Sequence, residues 1–307
     1  MIVQWDGHEM SAWDHDHAQA AAALQQDWAY GSTRVAMGSS VLRGVVHADG
    51  VPVAMAQFIV RRFGRWAGFA LCSRGPIWLQ ALSGNDKARA YQAMRQSIPL
   101  PGLRFLMITP DEPQSPELGL PHLRRIMTGF ATVMLDISQP MDTLRSNLDP
   151  RWRSPLSGAE KSELSIHRMG TNPGQYRWLL DADMQQRVTR GFQGYPDIFF
   201  ERYAESRKQP SKNILSIRAD LGRDRVAAMM FLLHGQAATY QVGWTSDAGR
   251  DLHAHNLILW KGIEELKERG IRQLDLGGVN TARSAGIARF KMATGGQVRV
   301  LAGSYFS

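Results

Sequence analysis

Residues 252–278 read LHAHNLILWKGIEELKERGIRQLDLGG, and this stretch decides the fold. Leu252–Arg269 has the amphipathic pattern of a helix, and Gly270 stands where helices end in a left-handed residue. Gln273–Leu276 then reads as a strand, stopped by Gly277-Gly278. Upstream lie three strand-like segments, Ile214–Asp220, Arg225–Leu233 and Ala238–Trp244. Turn residues Gly222-Arg-Asp224 and His234-Gly235 separate them, so they read as an antiparallel meander. A strand that follows a meander through a helix returns parallel to its neighbour, which makes the sheet mixed, with one splayed parallel pair.

Working outward, helices are expected at about Asp142–Glu163, Pro173–Gly191 and Asp197–Lys208, and a short helix at about Ser284–Ala293. A final strand is expected at Gln297–Tyr305. The first half repeats this order. A strand Ile2–Trp5 and a helical region from Met10 to Tyr30 precede strands Ser40–His47, Val51–Arg62 and Ala67–Trp78, with Asp49-Gly50 and Gly64 as turns. A helix Gly84–Ser97, a strand Arg104–Thr109, a loop Asp111–Pro121, a short helix and a strand Ala131–Ile137 complete it. The fold class is therefore α/β with α+β mixed sheets, arranged as two tandem lobes that resemble the GNAT acyltransferase fold. The first lobe is expected over residues 1–140 and the second over 141–296, with the boundary near Ile137–Leu144.

Among the 307 residues, 44% are hydrophobic and 21% charged, an ordinary globular balance. Apolar runs such as Val51–Val60 and Val226–Leu233 are too short to span a bilayer, and the amino terminus lacks a secretory pattern. The single Cys72 cannot form an internal disulfide. A cytoplasmic monomer is expected. With 36 Lys and Arg against 28 acids the net charge is +8, which favours polyanionic partners: tRNA, nucleotide diphosphates, CoA or an anionic membrane surface.

Four stretches resemble the Fem-type peptidoglycan aminoacyltransferases (FemAB-like proteins). They are Leu24-Gln-Gln-Asp-Trp28-Ala, Ser73-Arg74-Gly75-Pro76-Ile77, and Leu135-Asp-Ile-Ser-Gln139 followed by Trp152-Arg153 and Ala159-Glu160-Lys161. The fourth runs from Asn256-Leu-Ile-Leu-Trp260 through Leu274-Asp275-Leu-Gly-Gly278 to Gly286-Ile, Phe290-Lys291 and Gly295-Gly296. The resemblance implies a double GNAT fold in which the last strand, about 297–307, returns to complete the first lobe. It also implies aminoacyl-tRNA as the donor substrate, no cofactor, and a nucleotide- or lipid-linked peptide precursor or another amine as acceptor. Peripheral membrane contact is compatible with such an acceptor. Two positions depart from the family: no lysine follows Trp28, and Tyr195-Pro196 stands where an Arg-Pro pair is expected.

Transfer from an ester to an amine passes through a tetrahedral oxyanion, which a fixed cation stabilises. Lys291, next to Phe290, is the candidate that the resemblance implies for this role. Gly277 and Gly278 allow close backbone approach and offer amides to an oxyanion, or simply form a tight turn. Asp275 would orient a substrate ammonium or cap that turn. His255 and Asn256 open the 252–269 helix, where free N–H groups favour anions. Arg151, Arg153 and Arg74 are candidate phosphate contacts, and Tyr240 and Trp244 candidate stacking residues. His253 and His255 fall on different faces of a helix, so no metal site is expected. The cluster Asp14-His15-Asp16-His17 reads as solvated surface.

Two other functions remain open. One is an acyl-CoA-dependent N-acyltransferase of the same fold. Its pyrophosphate loop would fall at Ser246-Asp-Ala-Gly249-Arg250-Asp251, which lacks the expected pattern, while Arg283-Ser-Ala-Gly286-Ile-Ala288 has the pattern in the wrong place. The other is a catalytically silent binding protein of the same fold.

Overall fold

A computed structural model describes residues 1–115, 120, 123–191, 193–279 and 284–307. The expected loop at 111–121 and the Arg283 pattern lie partly outside these residues. The chain divides into two compact units, Met1–Ala131 with Arg299–Ser307, and Thr132–Val298.

The first unit contains β1 (Ile2–Trp5), α1 (Met10–Gln19), α2 (Trp28–Ala36), β2 (Ser40–Ala48), β3 (Val51–Phe63), β4 (Ala67–Ser73), β5 (Ile77–Trp78), α3 (Gly84–Ser97), β6 (Leu103–Thr109) and β7 (Arg124–Met127). Next come β8 (Ala131–Asp136), α4 (Met141–Ser146), α5 (Pro150–Ala159), β9 (Leu164–Met169), α6 (Pro173–Arg190), α7 (Asp197–Glu205), β10 (Ile214–Leu221), β11 (Asp224–His234) and β12 (Ala237–Thr245). After these follow α8 (Asp247–Asp251), α9 (Ala254–Glu268), β13 (Gln273–Val279), α10 (Ala285–Met292), β14 (Gln297–Val300) and β15 (Ser304–Phe306).

The first sheet has the order β1-β2-β3-β4-β6-β15-β7, with β5 paired to β3 off this path. Its core joins Phe58, Val60 and Leu106 of the strands to Tyr91, Met94 and Ile98 of and beyond α3. The second sheet has the order β14-β8-β13-β12-β11-β10-β9. Here Leu257, Trp260 and Ile263 of α9 pack against Ile217, Phe231 and Leu274, together with Trp152 and Leu156 of α5. Both sheets are mixed, as the alternation of meander, helix and strand requires: β4 runs parallel to β6, and β12 parallel to β13.

Several elements differ from expectation. The expected 10–30 helix breaks after Gln19 into a left-handed Ala21 and a short 3-10 turn at Leu24–Gln26. The cause is Gln26, whose fully buried amide acts as a surrogate strand partner. Its Oε1 accepts the Gln57 N–H at 2.8 Å and its Nε2 donates to the Ser73 carbonyl at 2.8 Å. The single 67–78 strand is interrupted by Arg74 at φ 51° and the cis Gly75–Pro76 bond. The short helix expected before Ala131 is absent among the described residues, which form β7 there. The 142–163 helix splits where Asp149 caps α5, and β9 follows. The 131–137 strand lies in the second sheet as β8, so the first unit ends at Ala131 and not near residue 140. The last strand is two: β14 joins the second sheet, and β15 inserts between β6 and β7 of the first. His17 of the expected surface cluster is buried, with its Nε2 at 3.1 Å from the Ala23 carbonyl.

Gln26→Met keeps the side-chain length and removes the amide's hydrogen bonds to Gln57, Ser73 and Cys72. It is expected to destabilise the first unit by about 1–3 kcal/mol for each buried group left unpaired. A lowered urea midpoint, against an unchanged midpoint for an exposed control such as Gln96→Met, checks this.

Candidate active site

The second unit holds a wedge between two strands that begin together and then part. Strands β12 and β13 pair only over Ala237–Thr239 and Gln273–Asp275. On the other side of β12 the register to β11 slips, since Met230 faces Val242 while Phe231 faces Tyr240, leaving Gln241 as a bulge. A bulge adds local twist to its strand, which turns β12 away from β13. Tyr240 is the first residue of β12 past the last parallel pair, and Gly277-Gly278 lies just past it on β13.

Lys291 reaches this wedge from α10. Its ammonium donates to the Gly278 carbonyl at 3.0 Å and lies 5.7 Å from the centre of the Tyr240 ring. Only 8% of the residue is exposed. Burial lowers its pKa from 10.5 to about 8, with the Asp275 carboxylate pulling the other way. Gly277 is favoured here by its φ of +78°, a conformation that side chains with a Cβ rarely adopt.

Asp275 is buried and accepts from the Thr132 hydroxyl at 2.5 Å and the Gly277 N–H at 2.8 Å through the same oxygen, Oδ1. It caps the turn, and the Gly277 amide is therefore engaged with it and not open to an oxyanion. Thr132, on β8, gave no local signal in the sequence because its partner is remote in the chain.

A second group of predicted residues forms the floor around α9. His255 donates Nε2–H to the Trp244 carbonyl at 2.9 Å. Burial drives its pKa down to about 4, against the raising effect of that bond. At neutral pH the ring is neutral, so Nδ1 is an acceptor. Its ring centre lies 6.0 Å from that of Phe290, which in turn lies 5.7 Å from Trp152. The Trp244 ring meets Trp178 edge-on at 5.7 Å. Burial, with Asp183 adding to it, raises the Tyr240 phenol well above its ordinary value, so it stays neutral.

Beside this row is a cleft of about 510 Å³, lined by Arg151, Trp152, Asn256, Arg289, Phe290 and Met292 among others. Asn256 donates to the Trp152 carbonyl at 3.4 Å, and the Trp152 indole N–H is buried without a partner. Arg151 is at the cleft; Arg153, half-buried two residues on, is not among the described lining residues. Arg289 and Met292 were missed by sequence reasoning, although they flank the Phe290-Lys291 pair. Arg74 belongs to the first unit, where its guanidinium bonds Asp111 at 2.7 Å and lies 5.9 Å from the Phe130 ring. Also in the first unit, Arg43 of β2 stacks 3.6 Å over Trp28, a cation remote in sequence from the position after Trp28. Among the described residues no group of three His, Cys, Asp or Glu is placed to hold a metal ion, and no helix is long and apolar enough to cross a membrane.

Between β12 and α9 several backbone amides are engaged within the segment. The Gly249 N–H donates to Ser246 Oγ at 3.1 Å and the Arg250 N–H to the Ser246 carbonyl at 3.0 Å. The Leu252 and His253 amides bond to the carbonyls of Ala248 and Arg250. Asp247 there is paired with the Arg250 guanidinium, and Asp251 adds a further carboxylate.

Residues 153–292 match the family described as Acetyltransferase (GNAT) domain. No curated protein matches the sequence. Among solved structures, FemX shares 14% identity over 99% of this chain and 96% of its own, with a TM-score of 0.79. A tandem GNAT protein from the clavulanic acid biosynthesis pathway shares 13% over 99% and 98%, with a TM-score of 0.54. L-PGS from Bacillus licheniformis shares 12% over 97% and 91%, with a TM-score of 0.50. The chain thus has the double GNAT fold.

A buried lysine with a lowered pKa binds fewer protons when folded than when unfolded between about pH 8 and 10.5, so stability rises with pH across that window. The unfolding free energy of the wild type, relative to Lys291→Met, should therefore shift in favour of the wild type as pH rises through it. A flat difference in chemical denaturation would show that the ammonium is not desolvated.

Proposed function

We propose that this chain, with the double GNAT fold of FemX, moves an amino acid from aminoacyl-tRNA to an amine on a nucleotide- or lipid-linked peptidoglycan precursor. The observation that carries this reading is the Lys291 ammonium, buried between diverging strands and held by one carbonyl and one aromatic face. The motifs that resemble Fem-type enzymes include that lysine and the strand it touches.

In the reaction the acceptor amine attacks the ester carbonyl of the donor and a C–N bond forms. The oxyanion collapses, the ester C–O bond breaks, and the ribose oxygen leaves with a proton. The nitrogen loses one in turn. The Lys291 ammonium is placed to stabilise the negative charge as it develops, in surroundings where water does not screen it. Phe290, Trp152 and the Arg151–Arg289 rim provide apolar and cationic surface suited to the nucleotide end of the donor. The amides of Gly277, Gly249, Arg250, Leu252 and His253 are already bonded, which leaves the cation as the principal charge-stabilising group of the wedge.

A second reading, acyl-CoA as donor, is favoured by the match of 153–292 to the acetyltransferase family. Against it stands the engagement of the Gly249, Arg250, Leu252 and His253 amides between β12 and α9, which withdraws them from a pyrophosphate.

Purified protein mixed with aminoacyl-tRNA or acyl-CoA, with binding and transfer followed separately, tests both readings. Lys291→Met is expected to bind aminoacyl-tRNA and lose about 10²–10³-fold in kcat. In the wild type kcat should fall as pH rises through about 8, where the ammonium deprotonates, and Lys291→Arg should move that limb upward. Tight CoA binding with no response to tRNA would replace the first reading by the second.

A further inference from the structure

The first unit carries a surface that the transfer chemistry does not use. At one end of its sheet, Phe63 is 57% exposed, Trp66 71% and Leu103 69%. Single exposed apolar residues are ordinary; a cluster of three large ones is not. The register brings them together, since Phe63 pairs with Ala67 and Ala67 with Leu103 across β3, β4 and β6. The next row is Arg62, Gly68 and Arg104. The hairpin tip is fixed in place, because the Leu103 N–H donates to the Trp66 carbonyl at 2.8 Å and the Trp66 N–H to the Phe63 carbonyl at 3.3 Å. The exposed indole therefore stands on an ordered backbone, with Arg65 at 4.8 Å over its ring.

The charge around this tip has one sign. Segments 60–69, 98–107, 123–131 and 299–307 contain no acidic residue. They contain Arg61, Arg62, Arg65, Arg104, Arg124, Arg125 and Arg299. Arg124 and Arg125 enter from β7, which pairs with β15 through Phe306 and Tyr305, and the Phe306 ring stacks on Phe105 at 5.9 Å. Of the seven, Arg104 donates to carbonyls at the end of α3, and none has a carboxylate partner among the described residues.

We infer that this end of the first sheet is a docking surface for an anionic phospholipid bilayer, with Phe63, Trp66 and Leu103 inserted at the headgroup level and the arginines paired to lipid phosphates. Tryptophan and phenylalanine favour that layer, and basic residues add attraction to anionic lipid that salt weakens. An RNA would use the arginines and the indole, but it gains little from the aliphatic Leu103. The inference is independent of the identity of the donor.

The test uses the full chain with an environment-sensitive fluorophore at Leu103→Cys. Cys72 is fully buried and burial raises its thiol pKa to about 12, so only the introduced thiol reacts. Vesicles of equimolar phosphatidylcholine and phosphatidylglycerol should shift the emission to the blue and sediment the protein, while phosphatidylcholine alone should do neither. Raising salt to roughly 0.5 M should reverse binding. Arg61→Glu with Arg62→Glu, and separately Phe63→Ser with Trp66→Ser, should each weaken partitioning about tenfold or more. Failure of the anionic vesicles to shift the label overturns the inference. So does a shift produced by an RNA oligonucleotide and not by vesicles, or one that follows protein concentration without lipid, which would assign the surface to nucleic acid or to a second copy.

Discussion

Strands β12 and β13 share only three residue pairs, and where that overlap stops determines what the site can do. Beyond it, neither strand can satisfy the other's backbone. The Gly278 carbonyl, a group that sheet pairing would otherwise occupy, is met by the Lys291 ammonium. A charge removed from water is costly unless it is paired and hydrogen-bonded. Here a carbonyl, the face of Tyr240 and the field of Asp275 meet that cost only in part, which is why the pKa falls to about 8. Asp275 is itself fixed by Thr132 and the Gly277 amide, so the turn, the carboxylate and the cation form one chain of dependence.

Much of this architecture was legible in residue order, because hydrophobic period and turn residues act locally. Gly84–Ser97 was read to the residue, the α9 helix ended at Gly270 as expected, and both meanders were placed from their turn residues. What escaped was set by distant partners. Gln26 looks like any polar residue in a helical pattern until Gln57 and Ser73 are beside it. Strand β7 exists because β15 arrives to pair with it, and β8 belongs to the second sheet because of β13 and β14. At the site, the Phe290-Lys291 pair stood out by resemblance, and the structure puts its lysine in the wedge. Asp275 turned out to cap, and the Arg289 rim and Thr132 had no pattern to betray them.

The cations of the two units are put to different physical use. Lys291 is single, desolvated and held by short contacts, so its influence is strong and confined to a few ångströms. The arginines at the end of the first sheet are solvated and numerous, and their field reaches about a Debye length, ~8 Å at physiological salt. One arrangement suits a reacting atom and the other suits an extended charged surface.

The insertion of β15 between β6 and β7 also bears on how the chain is made. Residues emerge from the ribosome in order, so every strand of the second sheet is available before Ser304–Phe306 appears. Until then β6 has an unfilled edge and β7 has no neighbour. The half of the molecule synthesised first is therefore completed only after every strand of the second sheet, and a nascent chain held short of Ser304 presents an open strand edge of the kind that chaperones and aggregation both exploit.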